Sequence, residues 1–506
     1  MLYFGVPTMH VNLRPSDPVE SGAPNPGPPC IGAPPPPRHY DPGFSRGVTY
    51  LSAIVLLASI LLVGWFAMDI PKLGRIADPE RALAHMVSRL MDVEEGFAGL
   101  PEWERILYEI MMGSDAHERE QAVTWYRELS EVSSDPTVDF NLAVLLGESG
   151  RADEARIEAD SWKGRDAPYP MLGQIVYAAY GAAEVSAPQE QELQAQLAEL
   201  LPAGWFYDRV AGRLAKAAGN EPLLNTVQVS AERRANAMVR RSRLFAVVEA
   251  ALMVSGGMIL MMWIRQRDKQ ALRVSQGDLP PLWAGGLGAA VLVRGGAIGA
   301  LLTLGFLFAA LDYSSLRLFV VPLSNVPLLL LAYVHLLRPQ GLSFRDGFGL
   351  TIDRGKGRRL AMAVVAVVAA GLLGEWVMGK IADPLNLSSH WTEWFDADLV
   401  WAPLPVVAVS LTEYVVIAPV FEELAFRGLL FGVLRRRYQW LPAAAISAGV
   451  FALAHGYGLI GFTSVFWSGL IWAWIYERTG SLLPGMIAHA ANNLLVCLSV
   501  IALLRA

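Results

Sequence analysis

Apolar runs of membrane-spanning length recur along this chain: 47–68, 244–264, 291–312, 316–337, 360–378, 400–434, 440–456, 459–476 and 481–504. A helical span needs roughly 20 apolar residues, so the pattern predicts an all-α fold, a polytopic membrane helix bundle of about nine spans. One long interval breaks it. Residues 69–243 are polar, rich in Glu and Ala, and place their apolar residues at helical spacing. They predict a soluble, extramembrane all-helical domain, inserted between an anchor helix at 46–68 and a polytopic membrane part at 244–506. Within it, DFNLAVLLGESGRADEAR (139–156) reads as half of a tetratricopeptide-like helical hairpin. Residues 1–45, with APNPGPPCIGAPPPPRHYDPG, have too little apolar character to bury a core and predict a disordered or polyproline II tail. The 400–434 run is too long for one straight span, and Pro419 offers a kink by removing a helix hydrogen bond.

Composition supports the membrane reading. Mean hydropathy is positive, and charged residues make up 17% of the chain. The two cysteines, Cys30 in the tail and Cys497 in the last run, give neither a metal spacing nor a disulfide framework. Polar, proline-rich residues precede the first run, which therefore reads as an uncleaved anchor rather than a signal peptide. Arginine far outnumbers lysine and alanine is abundant, pointing to a GC-rich bacterial source and a plasma-membrane location. Loop charge gives orientation. RQRDKQALR (265–273), RPQGLSFRDGFGLTIDRGKGRR (338–359) and RRR (435–437) are basic, whereas ADPLNLSSHWTEWFDADL (382–399) is acidic. The alternation puts the N-terminus inside and 69–243 outside. RRANAMVRRSR (233–243) runs against this, although long domains translocate largely regardless of charge.

Three polar clusters then stand out in the last apolar runs: FEELAFRG (421–428), FALAHG (451–456) and HAANN (489–493). A charge at mid-membrane costs roughly 3 kcal/mol or more, so such residues face protein and mark function. Counted from the basic ends, Glu422 lies about 20 Å deep, His455 about 22 Å and His489 about 13 Å. All three fall within a hydrocarbon core of roughly 30 Å. At 3.6 residues per turn Glu423 and Arg427 share a face and can pair, bracing the helix. Glu422 lies about 100° from Glu423 and about 140° from Arg427, which leaves it free to face the histidines. A desolvated carboxylate beside neutral histidines suits a general base near neutral pH. His489 and Asn493 also share a face. Asn493, or Asn492, is placed to orient an imidazole or donate to a developing oxyanion.

Glu-Glu-x-x-x-Arg, Phe-x-x-x-His and His-x-x-x-Asn, in this order on successive membrane helices, resemble the CAAX-protease and bacteriocin-processing intramembrane proteases (the Abi domain), which include the type II CAAX prenyl endopeptidases. YERTGSLLPGMIAHAANN (476–493) is similar to the last motif block of that family. The resemblance implies a protease core at about 360–504, and it covers neither the tail nor 69–243. It also implies that Glu422 and His455 activate a water that attacks a peptide carbonyl. His489 and Asn493 would stabilise the oxyanion, with Glu423 and Arg427 supporting. Glu422, His455 and His489 could also hold zinc with an open position. No His-Glu-x-x-His pair exists and Asn is a poor zinc ligand, so metal-free water activation is favoured.

The expected partners are the membrane, a membrane-associated or lipidated peptide substrate, and a protein bound through 69–243; no nucleic acid is expected. Two other functions fit less well: a catalytically silent scaffold or bacteriocin-immunity protein, and a proton-coupled transporter, for which no inverted-repeat counterpart of the polar clusters exists. Other polar residues in the runs have blander readings. His335 reads as interfacial and His390 as solvated. Glu249, Glu375 and Glu413 snorkel, line the cavity or bridge helices, and Arg294 faces a polar cavity or the headgroups. Phe426 and Phe451 read as packing.

Overall fold

A computed structural model of the protein describes residues 44–505, apart from 70–71, 113–114, 182–183, 266–271, 276–278, 280–282, 284, 309–313 and 386. The proline-rich tail with Cys30 falls on 1–43 and lies outside them. Regular structure among the described residues is entirely helical. An anchor helix α1 (Arg46–Asp69) precedes eight helices: α2 (Pro79–Ala98), α3 (Glu102–Met112), α4 (Asp115–Ser130), α5 (Pro136–Glu148), α6 (Ala152–Ser161), α7 (Tyr169–Tyr180), α8 (Ala187–Leu200) and α9 (Trp205–Ala218). Then come α10 (Glu221–Arg265), α11 (Gly285–Phe308), α12 (Ser314–Ala332), α13 (Gly357–Ala382), the interrupted α14 (Leu404–Arg435), α15 (Trp440–His455), α16 (Leu459–Thr479) and α17 (Leu483–Leu504). Each of the nine apolar runs is thus helical over most of its described residues. Among the described residues seven helices are long and apolar enough to cross a membrane, while α15 and the stretch Arg46–Leu62 of α1 are shorter.

In the helical region α2–α9, the starts of α2 and α5 carry Asp78 and Asp135, whose carboxylates accept from Arg81 N and Thr137 N, with Pro next in sequence. These are the capping residues that helix N-termini favour. Nearly every residue of α5 from Val138 to Gly147 is buried, as suits an apolar helix at the centre of a layer. α5 and α6 form a helical hairpin that turns at Gly150 with φ 77°. The same core continues into Trp391, Phe395, Leu399 and Val400 of the α13–α14 loop and into Cys497, Val500 and Leu504 of α17. The helical region is therefore seated on one end of the membrane bundle.

The expected division at 243/244 falls inside α10, a single helix of 45 residues and about 67 Å. The change from Arg-rich to apolar sequence alters what surrounds the helix, not its backbone. The stretch 233–243, which resisted the loop-charge rule, is occupied by specific partners. Arg234 pairs with Asp92 (3.1 Å) and Asp208 (2.7 Å), Arg243 pairs with Glu104 (2.6 Å), and Arg241 donates to Ala502 O (2.8 Å). Arg294 pins α11 to the start of α1 through Thr49 Oγ1 (3.1 Å) and Ser45 O (2.7 Å), with its guanidinium over Phe44.

The last carbonyls of α17 have no partner in their own helix. Arg241 takes that of Ala502, and the His85 ring bonds that of Leu504. Burial lowers the His85 pKa below 6.5, with Arg89 and Arg81 adding to the effect. The bond to Leu504 works in the opposite direction but is outweighed, so the buried neutral ring stabilises the fold fully above about pH 6.5, and this contribution is lost as pH falls below it. Hydrogen exchange at 500–505 is accordingly expected to rise between pH 7.5 and 5.5 in the wild type, and a His85→Gln variant should flatten that pH dependence.

Candidate active site

α14 is α-helical over Leu404–Thr412, widens to a π turn over Glu413–Ile417, and resumes as α over Ala418–Glu422. It widens again over Glu423–Phe431 and ends as α-helix. Pro419, without an N–H, lies between the two π segments, so the kink foreseen there is delivered as widened turns. Such turns disturb the usual pairing of backbone groups, and side chains from neighbouring helices bond two of the carbonyls. Asn493 Nδ2 donates to Tyr414 O (2.9 Å) and Ser447 Oγ donates to Phe426 O (2.9 Å).

The second π segment starts at Glu423 and changes the helical phase assumed for the two glutamates. A wider turn rotates the chain less per residue, so Glu422 and Glu423 approach the same partner. Glu423 Oε1 accepts from Arg427 Nη1 (2.9 Å) and from His489 Nδ1 (3.1 Å). On the other edge of that imidazole, Nε2 lies 3.6 Å from Glu422 Oε2, just beyond hydrogen-bond length. The split of Glu423 as a brace and Glu422 as the histidine-facing group is therefore corrected: His489 sits between both carboxylates. Burial still separates them. Glu423 and Arg427 are fully buried, whereas the Glu422 side chain keeps 26% exposure.

Aromatic rings enclose the pair. The Arg427 guanidinium lies over Phe451 (4.2 Å) and Trp472 (4.9 Å), a desolvated cation–π arrangement. The His489 ring stacks on Trp472 with centroids 3.9 Å apart. Phe451 touches the rings of Phe426, His455, Trp472 and His489 and so forms the wall between the two histidines. A Cβ at Gly469 of α16 would meet Arg427 Nη2 at 2.7 Å, so this glycine makes the space for the guanidinium. Gly469→Ala is expected to destabilise the protein by about 1–3 kcal/mol through overpacking, read as a lower melting temperature in detergent. An unchanged melting temperature would contradict the tight fit.

His455 ends α15, directly before Gly456 in the left-handed conformation (φ 65°). Its Nδ1 donates to Phe451 O (2.8 Å), which fixes the tautomer and leaves Nε2 as the free base. Half-buried, it lies at the end of the bundle nearest the helical region, beside Tyr457 (5.5 Å between rings). The charges of Glu393 and Glu422 both reach Tyr457. Asn493, foreseen as orienting an imidazole or meeting an oxyanion, instead directs its amide to the π turn. His390, read as solvated, is corrected too: its ring bonds Glu128 (3.0 Å) and Thr392 (2.7 Å). Glu375 accepts from Ser464 (2.9 Å) and, with Glu249, lines a cavity of about 410 Å³ between α10, α13 and α17.

Both His489 nitrogens face carboxylates, and among the described residues no three His, Cys, Asp or Glu side chains are grouped to hold a metal. Trp472, Ser447, Gly469, Tyr457 and Glu393 were not singled out from sequence. Trp472 and Gly469 look like ordinary residues of an apolar run, and only the packing of α16 against α14 gives them a role.

Residues 403–495 match the family model described as type II CAAX prenyl endopeptidase Rce1-like. This stretch is similar to that family. It contains Glu422, Glu423, Arg427, His455, His489 and Asn493 and ends two residues beyond Asn493. Over 130 residues the chain is also 32% identical to a protein of Escherichia coli described as an uncharacterized 24.3 kDa protein. That alignment takes in 25% of this chain and 58% of the relative, so the chain spans little more than half of the relative's length. No solved structure matches.

Proposed function

We propose that the protein is an intramembrane endopeptidase that hydrolyses a peptide bond of a membrane-associated or lipidated substrate with a water activated by Glu422. The observation that carries this reading is a partly exposed carboxylate beside a histidine whose other face is locked by the buried Glu423–Arg427 pair. Glu422 takes a proton from water as its oxygen attacks the substrate carbonyl, then passes that proton to the leaving amine as the C–N bond breaks. His455, with its Nε2 free, helps place the water. His489 donates Nδ1–H to Glu423, and when the ring carries both protons its Nε2–H is the donor to the oxyanion that develops beside Glu422. Asn493 acts through the backbone by keeping the π turn at Tyr414 in shape. No step is assigned to a metal.

Arginine and alanine usage favours a bacterial plasma membrane, and the loop charges favour the N-terminus inside and the helical region outside. The site then lies toward the outer face, where the helical region docks a partner or presents a substrate. The reading is tested by comparing membrane proteomes of cells carrying wild type and Glu422→Gln. At least one membrane peptide is expected to accumulate uncut in the variant. If none does while the variant protein is made and folded, the protease reading is wrong.

A further inference from the structure

The loop between α13 and α14 joins the helical region to the site within three residues. Trp391 is fully buried in the core shared with the helical region, 6.0 Å from the Phe395 ring. His390 next to it is held by Glu128 of α4. Two residues after Trp391, Glu393 Oε1 accepts from Gly458 N (3.0 Å). Gly458 is the N-cap of α16 and has no side chain to cap with, so a carboxylate from a distant loop bonds the first N–H, where the helix dipole favours a negative charge. The seat is specific in shape. A Cβ on Gly458 would come 2.9 Å from Glu393 Oε1, and one on Gly461 would meet Tyr457 Cβ at 2.7 Å and Glu393 Oε2 at 2.9 Å, so both positions suit glycine.

Only Gly456 and Tyr457 separate this anchor from His455. A turn with glycine at both ends has little stiffness of its own, yet it carries one of the two histidines of the site. We propose that Glu393 is a positioning residue: it pins the Gly456–Gly458 turn and thereby holds His455 at the mouth of the site, with Trp391 anchoring Glu393 to the helical region. The helical region on this account is a structural part of the catalytic centre. The catalytic half of the proposal rests on the protease reading of the same site, whereas the pinning of His455 does not.

Two variants act on the contact to different degrees: Glu393→Gln weakens the acceptor, and Glu393→Ala removes it. Full-length protein in nanodiscs is labelled with diethyl pyrocarbonate, and modification of His455 and His489 is followed by mass spectrometry. Both variants are expected to label His455 at least threefold faster than wild type, with the buried His489 unchanged. On the peptide that accumulates in Glu422→Gln cells, both should lower kcat about tenfold with KM changed less than twofold. Unchanged His455 labelling in both variants overturns the proposal, as does faster labelling with unchanged kcat. If one variant fails to fold, the other decides. If the wild-type protein cuts nothing, the protease reading falls and the labelling alone decides whether Glu393 pins His455.

Discussion

Purified Glu422→Gln protein is expected to cut the peptide that accumulates in cells carrying it about 10²- to 10⁴-fold more slowly than wild type, the usual worth of a general base. The amide keeps the shape of the side chain and loses its ability to take a proton. Its melting temperature should stay close to that of wild type, because Glu422 is partly exposed and its nearest charged contact is 3.6 Å away. Substitutions at such positions move stability by about 0.5 kcal/mol or less. Slow cleavage with an unchanged melting temperature identifies a chemical defect. Near-normal cleavage would remove Glu422 from the mechanism.

The second large effect is on stability. Glu423 and Arg427 have no exposure and pair at 2.9 Å within α14. Arg427→Met leaves a buried carboxylate without its cation, and Glu423→Gln leaves a buried cation without its carboxylate. Each single change is expected to destabilise by about 3–5 kcal/mol. Replacing both at once, Glu423→Leu with Arg427→Met, removes the charges together, and such exchanges are often neutral or stabilising. The double variant should therefore lose less stability than either single variant, about 1–3 kcal/mol for the buried Nδ1–H of His489 left without an acceptor. It should still be inactive, because His489 loses the acceptor that fixes its Nδ1. Thermal unfolding in detergent with a parallel cleavage assay separates the two effects. Single variants as stable as wild type would refute the account of the pair.

Much of this was legible in the residue pattern, for identifiable reasons. Spans are written in long apolar runs, and each of those runs is helical over most of its described residues. The site residues could be brought to common depth by counting, because rise per residue is nearly constant along any helix. Rotation was less secure. Pro419 marked an irregularity, but nothing in FEELAFRG announces that the turn widens at Glu423, and the relative aim of Glu422 and Glu423 depends on that widening. Asn493 was misread for a related reason. It lies on the His489 face, and the carbonyl it serves, that of Tyr414, belongs to a helix irregularity 79 residues away. The division at 243/244 was drawn where solvation changes, whereas α10 runs straight through it. Trp391 and Glu393 sat in a loop read only for its acidic charge.

α15 has 16 residues, about 24 Å of helix against a hydrocarbon slab of roughly 30 Å. Leu441, Ile446, Val450 and Leu453 on it are exposed in the protein and suit contact with lipid. A bilayer meeting so short a wall thins beside it. The entrance to the site is then partly made of lipid: a dimple beside α15 brings the headgroups and their water down toward His455. On the proposed protease reading, a substrate tethered in the bilayer arrives there by sliding sideways, its peptide segment lifted toward water by the same depression.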